Sequence, residues 1–205
     1  FVVVGYGNDI ERECQTQACQ KLGIPILRRS SGGGTVLQGP GGLNYSLILQ
    51  IADNEKTGNI GTTNCHVMRT NRDALGQALG QAIEIEGHTD LAIDGVKFSG
   101  NAQRRKRDAL LFHGTILLAF DLPLIGQALR LPSSEPDYRE GRSHETFCRN
   151  IPLTPEVVKQ ALGQSWLCGG QAPPIDAGKV QRLAGEKYSR PDWIHRRAKR
   201  SQASE

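Results

Sequence analysis

Three consecutive glycines, Gly32 to Gly34, follow the arginine pair Arg28 and Arg29 and lead into an alternating apolar segment. Backbone amides without side chains can line a bound anion, and a guanidinium can donate two hydrogen bonds to that anion. A flexible turn is the alternative interpretation of three glycines. Because the glycines lie between a charged pair and a strand, the sequence favours a site for a phosphate or a carboxylate.

Lys97 is the second group for which the sequence suggests a chemical role. Asp94 and Gly95 favour a two-residue type I′ turn, in which Ala92 pairs with Lys97. A lysine opposite an alanine has open space across the strand pair, and its ammonium suits a movable point charge on a phosphate. A salt bridge with Asp90, or simple solvation, is the alternative.

Three familiar catalytic and nucleotide-binding motifs are excluded. Gly5 and Gly7 follow an apolar strand, but Ile10 stands where a dinucleotide-binding fingerprint has its third glycine. No Lys-Ser or Lys-Thr pair follows Gly34, as a P-loop requires. No G-x-S-x-G sequence occurs, which argues against a serine hydrolase.

Histidines and cysteines carry weaker signals. His113 suits a hydrogen bond to a backbone group better than a metal site. His144 and Cys148 are four residues apart, which would suit a base and a nucleophile only if that segment is helical and enclosed. The five cysteines are scattered without a C-x-x-C pair, so we expect free thiols rather than disulfides or zinc. No protein ligand to a metal is assigned.

The first fifty residues predict strands on either side of one helix. The sequence FVVVG predicts a strand, residues 9–23 predict a helix that ends at Gly23, and IPIL predicts a short strand before Arg28. The sequence LNYSLILQI then alternates with a period of two, which is typical of a half-buried strand. Its predicted core face consists of Leu43, Tyr45, Leu47, Leu49 and Ile51.

The middle of the chain predicts a helix followed by an antiparallel hairpin. Residues 63–83 have apolar side chains at helical spacing, although two glycines weaken that pattern. In the hairpin we expect the pairs Ile93–Val96, Ala92–Lys97, Leu91–Phe98 and Asp90–Ser99, with Ile93, Val96, Leu91 and Phe98 facing the core. The sequence ALLFHGTILLAF predicts a further strand.

The last third is predicted to be helical, with helices that start after Asp121, Thr154 and Asp176 as N-caps. Strands first and helices later indicate a mixed α/β (α+β) fold, with a mixed sheet flanked by helices. Regular strand-helix-strand spacing is missing, which argues against a doubly wound sheet.

Composition indicates an ordinary soluble chain. The 205 residues suit one domain, with 38% hydrophobic and 22% charged residues and no apolar run near the roughly 18 residues of a membrane span. We therefore expect a cytoplasmic protein without a membrane partner. The chain opens at Phe1 inside a strand, so we expect residues upstream of it.

The net charge of +4 is concentrated in RRKR (104–107) and RRAKR (196–200). These runs suit an acidic partner or a phosphate, or else a solvated loop and a frayed tail.

Four stretches together resemble one family. RRSSGGGTV followed by LNYSLI, then HTDLAIDGVKFSGNAQRR, then LLFHGTILL are similar in order and spacing to the catalytic domain of lipoate-protein ligase A and its relatives, the octanoyltransferases and biotin ligases. EKYSRPDW resembles the segment that closes that domain. The resemblance implies the class II aminoacyl-tRNA synthetase/biotin-lipoate ligase-like fold over residues 1–193, with a basic flexible tail at 194–205.

The resemblance also implies the site residues. Arg29 would contact the nucleotide or the acyl ligand, the turn would supply backbone groups to the ligand, and Lys97 would touch both the acyl carbonyl and the α-phosphate. The other substrate- and nucleotide-binding positions that it implies are Gly32, Gly33, Gly34, Thr35, Val36, Leu37, Asp90, Ser99, Gly100, Ala102, His113 and Gly114.

The implied reaction joins lipoate to ATP as lipoyl-AMP, with Mg²⁺ bridging the phosphates, and passes the lipoyl group to a lysine of a lipoyl-carrier domain. The chain departs from the family in three ways: Gln38 and Gly39 replace a His-Asp pair, the first helix is absent, and no small C-terminal domain follows RRAKRSQASE. Either an accessory subunit supplies that domain, or adenylation is not the reaction.

Two alternatives follow from these departures. The first is an octanoyl or lipoyl transferase that works without ATP through a cysteine thioester, for which Cys148 is the candidate. The second is a non-catalytic binder of lipoyl domains or nucleic acid. An aromatic content of 5% offers few platforms for stacking bases, so no nucleic-acid partner is expected.

Overall fold

The computed structural model describes residues 1–52, 55–170 and 174–196. Two sheets organise this part of the chain. The smaller one contains β1 (Val2–Val4), β2 (Ile26–Arg28) and β3 (Val36–Leu37) in the order β2-β1-β3. The first pair is parallel and the second is antiparallel. The larger sheet contains β4 (Gly42–Gln50), β5 (Glu84–Glu86), β6 (Asp90–Ile93), β7 (Val96–Arg105) and β8 (Ala109–Leu117), all antiparallel, in the order β4-β8-β7-β6-β5.

Eight α-helices in the described residues cover these sheets. They are α1 (Ile10–Glu13), α2 (Thr16–Lys21), α3 (Ile60–Leu79), α4 (Leu122–Ala128), α5 (His144–Phe147), α6 (Pro155–Ser165), α7 (Ala177–Leu183) and α8 (Pro191–Ile194). A short 3₁₀ helix at Asp137–Arg139 and a π turn at Ala184–Tyr188 complete the set. The predicted mixed α/β fold is confirmed. In the described residues no helix is both long and apolar enough to cross a membrane.

The prediction of one helix over residues 9–23 is wrong in one respect, because the segment forms two helices, α1 and α2. Asp9 caps α1 by accepting from the Glu11 amide, as its position suggests. At Cys14 the chain becomes extended and forms an isolated antiparallel bridge with Leu129. That bridge and the full burial of Cys14 stabilise the interruption, and this tertiary contact is absent from the helical pattern. Gly23, with φ of +65°, ends the second helix as predicted.

One face of the larger sheet packs on α3 and α6 to form the main core. The alternation in β4 is confirmed, since Leu43, Tyr45, Leu47 and Leu49 pack against this core while Ile48 is 79% exposed. From α3, Met68 and Leu75 are fully buried, and burial of each such side chain contributes about 1.5 to 3 kcal/mol. Asn59 and Thr62 form a capping box at the start of α3.

A second core lies beneath the smaller sheet. It joins Val2 and Val4 of β1 to Ile125 and Ala128 of α4. The three predicted N-caps are confirmed, because Asp121, Thr154 and Asp176 each accept a hydrogen bond from the backbone amide three residues later. Of these three helices, α4 packs on the smaller sheet, whereas Val158 and Leu162 of α6 belong to the main core.

The β6–β7 hairpin has the predicted turn but not the predicted register. Asp94 and Gly95 have φ of +53° and +68°, as a type I′ turn requires, and the pairs next to the turn are confirmed. Beyond Lys97 the register shifts by one residue, so Leu91 pairs with Ser99 and Asp90 with Gly100. The predicted pairs Leu91–Phe98 and Asp90–Ser99 are therefore wrong.

A β-bulge at Phe98 causes this shift. Phe98 is fully buried in the main core with Leu91 and Ile93, so the extra residue is retained because its ring fills the core. Ser99 follows it on the core side of the sheet, where it is 1% exposed. The bulge reverses the alternation of β7 and brings Lys97 to the same face as Gly100 and Ala102.

The C-terminal segment closes on the smaller sheet. Trp193 Nε1 donates to the carbonyl of Arg28, and the Nε of Arg28 donates to the carbonyl of Ile194, at 3.0 and 2.8 Å. The boundary expected at residue 193 thus falls within α8. The predicted flexible tail remains a prediction, since residues 197–205 of it, and most of the RRAKR run, lie outside the described residues.

Candidate active site

The guanidinium of Arg29 organises the triglycine turn. Its Nη2 donates to the carbonyls of Gly32 and Gly34 at 2.6 and 2.7 Å, and its Nη1 donates to the carbonyl of Val3 at 3.1 Å. Burial lowers the pKa of Arg29 to about 10. This value is still well above 7, so the group is charged at neutral pH. The turn is therefore folded around one cation.

This arrangement leaves the amides of the turn available. The amides of Gly32, Gly33, Gly34 and Thr35 donate no hydrogen bond to any residue that the structure describes, and the three glycines are exposed. A run of free N–H groups beside a buried cation has the properties of an anion-binding concavity. The turn can thus accept a phosphate or carboxylate through its backbone.

Arg28 has a different environment from its neighbour. It is 3% exposed, and its Nη1 donates to the carbonyls of Gly5, Tyr6 and Asn8 at 2.8, 3.3 and 2.7 Å. Its remaining nitrogen, Nη2, is buried without a partner among the described residues. Arg28 therefore joins the N-terminal loop to α8 and is not placed to contact a ligand at the glycine turn.

A hydrogen-bonded pair fixes the base of the turn. Ser31 Oγ lies 2.6 Å from His113 Nε2 and accepts a hydrogen bond from Arg29 Nε at 3.1 Å. Burial, and then the charge of Arg29, lower the pKa of His113, which favours the neutral imidazole. His113 bonds a side chain rather than the backbone group that the sequence suggested.

Lys97 is held by a carboxylate across the hairpin. Its Nζ lies 2.8 Å from Oδ1 of Asp90, and the two side chains are 26% and 14% exposed. The ammonium lies over Gly100, where an added Cβ would come within 2.8 Å of Nζ. The salt bridge that the sequence offered as an alternative is thus formed, and glycine at position 100 provides the space for it.

The turn and the ammonium lie on the same face of β7. An added Cβ at Gly33 would lie 3.1 Å from the Cβ of Ala102, which places the turn directly over Ala102. Gly100 and Ala102 are two residues apart in a regular ladder with β8, so their outward directions agree and their Cα atoms are about 7 Å apart. The free amides and the ammonium therefore lie on one face of β7.

Two glycine-rich loops contact each other beside this region. An added Cβ at Gly5 would overlap the carbonyl oxygen of Gly33, so the two backbones touch. Tyr6 donates its amide to the carbonyl of Ser31 at 2.9 Å, and Asn8 Nδ2 donates to Thr35 Oγ1 at 3.3 Å. The glycines of the first strand's loop thus serve close packing, which agrees with the exclusion of a dinucleotide fingerprint there.

The structure does not bring every expected site residue to this face. Ser99 and Gly114 point to the core, where Asn101 Nδ2 donates to Ser99 Oγ at 3.3 Å. An added Cβ at Gly114 would overlap Asn101 Oδ1. Val36 and Leu37 form β3, and Leu37 is 7% exposed in the second core. Ligand contacts at these positions remain predictions.

Sequence reasoning missed several polar side chains at the site. Gln38 donates through Nε2 to Thr115 Oγ1 at 2.7 Å, and Thr115 donates to Asn44 Oδ1 at 2.6 Å. The Oε1 of Gln38 is buried without a partner among the described residues. Tyr138, which donates to Asp90, was also missed. Of these side chains, only Asn44 could have been found from the sequence, because the alternation of β4 places it on the face opposite the core.

The His144–Cys148 pair is not arranged as a base and a nucleophile. His144 Nε2 bonds the carbonyl of Arg130 at 2.9 Å, and Nδ1 lies 3.4 Å from Arg139 Nη2. Cys148 ends α5 and pairs its backbone with Lys97. Burial raises the pKa of its thiol, which disfavours the thiolate that a nucleophile requires.

Comparison with known proteins places these features in a family. The model of the lipoyl protein ligase A/B catalytic domain matches residues 1–162. Lipoate-protein ligase LplJ of Bacillus subtilis is 29% identical over 96% of this chain, and this chain spans 62% of that relative. Lipoate-protein ligase A subunit 1 of Thermoplasma acidophilum is 30% identical, over 94% of this chain and 79% of that subunit.

Solved structures share the fold. A bipartite lipoate protein ligase with its E2 lipoyl domain from Thermoplasma acidophilum superposes with a TM-score of 0.79 at 23% identity, over 95% of this chain and 79% of that chain. A lipoate-protein ligase A bound with ATP gives 0.75 at 23% identity, over 95% and 81%. A related Thermoplasma acidophilum protein with bound lipoic acid gives 0.78 at 21% identity, over 95% and 81%.

Proposed function

The chain belongs to the lipoyl protein ligase A/B catalytic domain family, and from this we propose that it is a lipoate-protein ligase. It would activate lipoate with ATP to lipoyl-AMP and transfer the lipoyl group to a lysine of a lipoyl-carrier domain. The five cysteines, all unpaired, favour a reducing compartment such as the cytoplasm.

One observation supports this proposal above the others: the free amides of the triglycine turn and the ammonium of Lys97 lie on one face of β7. In the first step a carboxylate oxygen of lipoate attacks the α-phosphorus of ATP, and pyrophosphate leaves. Two anions must come together, so fixed cations and amide donors lower the barrier. In the second step the amine of the carrier lysine attacks the acyl carbonyl, loses a proton, and AMP leaves.

Ligands of solved relatives are consistent with these substrates, since one relative contains ATP and another contains lipoic acid. Within the described residues no group of three or more His, Cys, Asp and Glu side chains is arranged to hold a metal. Mg²⁺ bound with ATP is usually held by phosphates and water, with one or two carboxylates, and Asp90, beside Lys97, offers one such carboxylate. Such an ion would supply neutralisation of the phosphate charge.

The partners follow from the relatives. The Thermoplasma acidophilum relative is described as a bipartite lipoate protein ligase and is named together with its E2 lipoyl domain. Another relative from that organism is named lipoate-protein ligase A subunit 1. We therefore propose that a lipoyl-carrier domain is the acceptor and that an accessory subunit takes part in the complete reaction.

An intact-mass assay tests the proposed function. A lipoyl-carrier domain is incubated with this protein, lipoate and ATP, with and without a candidate accessory subunit. We expect the carrier mass to increase by one lipoyl group, and release of pyrophosphate to require lipoate. A carrier that binds the protein but gains no mass under either condition would identify a non-catalytic binder.

The thioester transferase remains a second candidate because Cys148 pairs its backbone with Lys97. The two candidates differ in donor. A thioester enzyme would take an octanoyl group from an acyl carrier without ATP and lose that activity in Cys148→Ala. Since burial raises the pKa of the thiol, we expect Cys148→Ala to retain ATP-dependent transfer.

A further inference from the structure

Asp90 carries two hydrogen bonds, one on each oxygen. Oδ1 accepts from the Lys97 ammonium at 2.8 Å, and Oδ2 accepts from the hydroxyl of Tyr138 at 2.8 Å. Tyr138 lies in the 3₁₀ helix that follows α4, far from the hairpin in sequence. The carboxylate is thus fixed between a residue of the hairpin and a residue of a separate segment.

That segment, residues 136–149, is attached to the β6–β7 hairpin through Tyr138, Arg142 and Arg149. Arg142 Nη2 donates to the carbonyl of Gly95 at 3.0 Å and to the carbonyl of Tyr138 at 2.6 Å. Arg149 donates its amide to the carbonyl of Lys97 at 2.8 Å, next to the backbone pair that Cys148 forms with Lys97. The tyrosine is therefore held at a set distance from the turn of the hairpin.

The ring of Tyr138 is itself fixed by packing. Its centroid lies 5.1 Å from that of Phe147, whose ring also lies beneath the guanidinium of Arg139 at 4.5 Å. Burial and the neighbouring Asp90 raise the pKa of Tyr138 above its ordinary value, so the phenol is a neutral donor at working pH. The hydrogen bond that the hydroxyl donates goes to Asp90.

We propose that Tyr138 is a positioning residue for Lys97 and acts through Asp90. An ion pair with a single carboxylate oxygen could rotate with the flexible lysine stem. A carboxylate anchored by its second oxygen cannot rotate with the lysine, so the ammonium stays over Gly100, on the same face of β7 as the triglycine turn. When Lys97 exchanges Asp90 for the carbonyl and phosphate of the ligand, the carboxylate retains a charge-assisted hydrogen bond from Tyr138. The inference rests on the proposed function for its catalytic consequence.

The test measures the position of Lys97 without requiring catalysis. Purified wild-type protein and Tyr138→Phe are labelled with trace acetic anhydride, and acetylation of Lys97 is measured by peptide mass spectrometry relative to exposed Lys159. We expect Lys97 to be several-fold more reactive in Tyr138→Phe than in wild type. Tyr188→Phe, which removes a hydroxyl elsewhere, should leave the ratio unchanged.

Kinetics provide the second measurement. Loss of one hydrogen bond to a charged group should reduce kcat for lipoyl-AMP formation by about ten-fold in Tyr138→Phe, with little change in KM for ATP or lipoate. Asp90→Asn keeps the shape and removes the charge, so Lys97 labelling should also rise there. This second variant keeps the test decisive if Tyr138→Phe is poorly folded.

The outcomes are distinct. Equal Lys97 labelling in wild type and in a folded Tyr138→Phe would overturn the positioning role, whatever the activity. Increased labelling with normal kcat would overturn its catalytic consequence. Increased labelling in a protein whose wild type forms no lipoyl-AMP would support the positioning of Lys97 while refuting the proposed ligase function.

Discussion

At the scale of single residues, Lys97 is the group on which the proposed chemistry depends most. We expect Lys97→Ala to fold normally and to lose lipoyl-AMP formation by a factor of about 10² to 10³, because a positioned charge at the reacting centre is removed. The measurement is lipoate-dependent pyrophosphate release, with circular dichroism as the check on folding. Lys159→Ala, an exposed lysine of α6, is the control. Near-normal release from Lys97→Ala would refute the role of the lysine.

The arginine pair shows how far residue types alone can predict a site. An anion site at the glycines followed from the glycines and their charged neighbours, and the free amides of the turn agree with it. The role of the guanidiniums could not be predicted. Arg28 and Arg29 donate mainly to backbone carbonyls of the protein. A guanidinium fits carbonyl oxygens and phosphates equally, and only the folded path of the turn decides between them.

At the scale of elements, the bulge in β7 determines which side chains meet. Turn residues and alternation were sufficient to predict the hairpin, its type I′ turn and three of its core residues, Leu91, Ile93 and Phe98, whereas Val96 is only half-buried. They could not predict the extra residue, because Phe98 fits either register until the depth of the core beneath it is known. The interruption between α1 and α2 has a similar origin, since Cys14 pairs with a residue more than a hundred positions away.

The close packing of β8 against β7 leads to a prediction about Gly114. An added Cβ would overlap Asn101 Oδ1 and lie 2.9 Å from Cε1 of Tyr45, both held by hydrogen bonds. We expect Gly114→Ala to lower the free energy of unfolding by about 1 to 3 kcal/mol or more, as measured by urea denaturation. Gly126→Ala in α4, where nothing lies within 4 Å, should be stabilising by about 0.5 to 1 kcal/mol. Equal stabilities would contradict this packing.

At the scale of the whole molecule, two half-buried histidines make stability depend on pH. Burial lowers the pKa of both His113 and His144 below the ordinary value of 6.5. The unfolded chain then binds protons that the folded chain does not, so stability is full above about pH 6.5 and is lost as the pH falls through the lowered values. We expect the melting temperature to be lower at pH 5.5 than at pH 7.5 by roughly 2 to 4 °C, the effect of about 1 kcal/mol. A smaller difference in His144→Gln would agree, and a melting temperature that rises on acidification would not.

The basic run at the β7–β8 turn divides into a structural and a surface half. Arg104 donates to the carbonyl of Ser30, and Arg105 donates to Thr63 Oγ1 at 3.0 Å, whereas Lys106 and Arg107 are exposed. Only the exposed pair can meet an acidic lipoyl-carrier domain across solvent. From the sequence alone the four charges are equivalent, because the hydrogen-bond partners of Arg104 and Arg105 come from distant segments.

Reversal of the exposed pair tests this docking role. In Lys106→Glu/Arg107→Glu we expect KM for the carrier domain to rise roughly ten-fold at low salt and less at high salt, while lipoyl-AMP formation is unchanged. Lys179→Glu/Arg182→Glu on α7 is the matched reversal of two exposed charges. An equal rise in KM in both variants would show that net charge, and not this turn, governs association.

The contact between Gly5 and Gly33 limits how the catalytic face can open. The backbone of Gly5 lies on one side of the triglycine turn and Ala102 lies on the other, so the turn has no room to swing as a flap. In the proposed reaction, ligand exchange would then depend on motion elsewhere around the site, with the turn as a fixed wall on one side of the reacting groups.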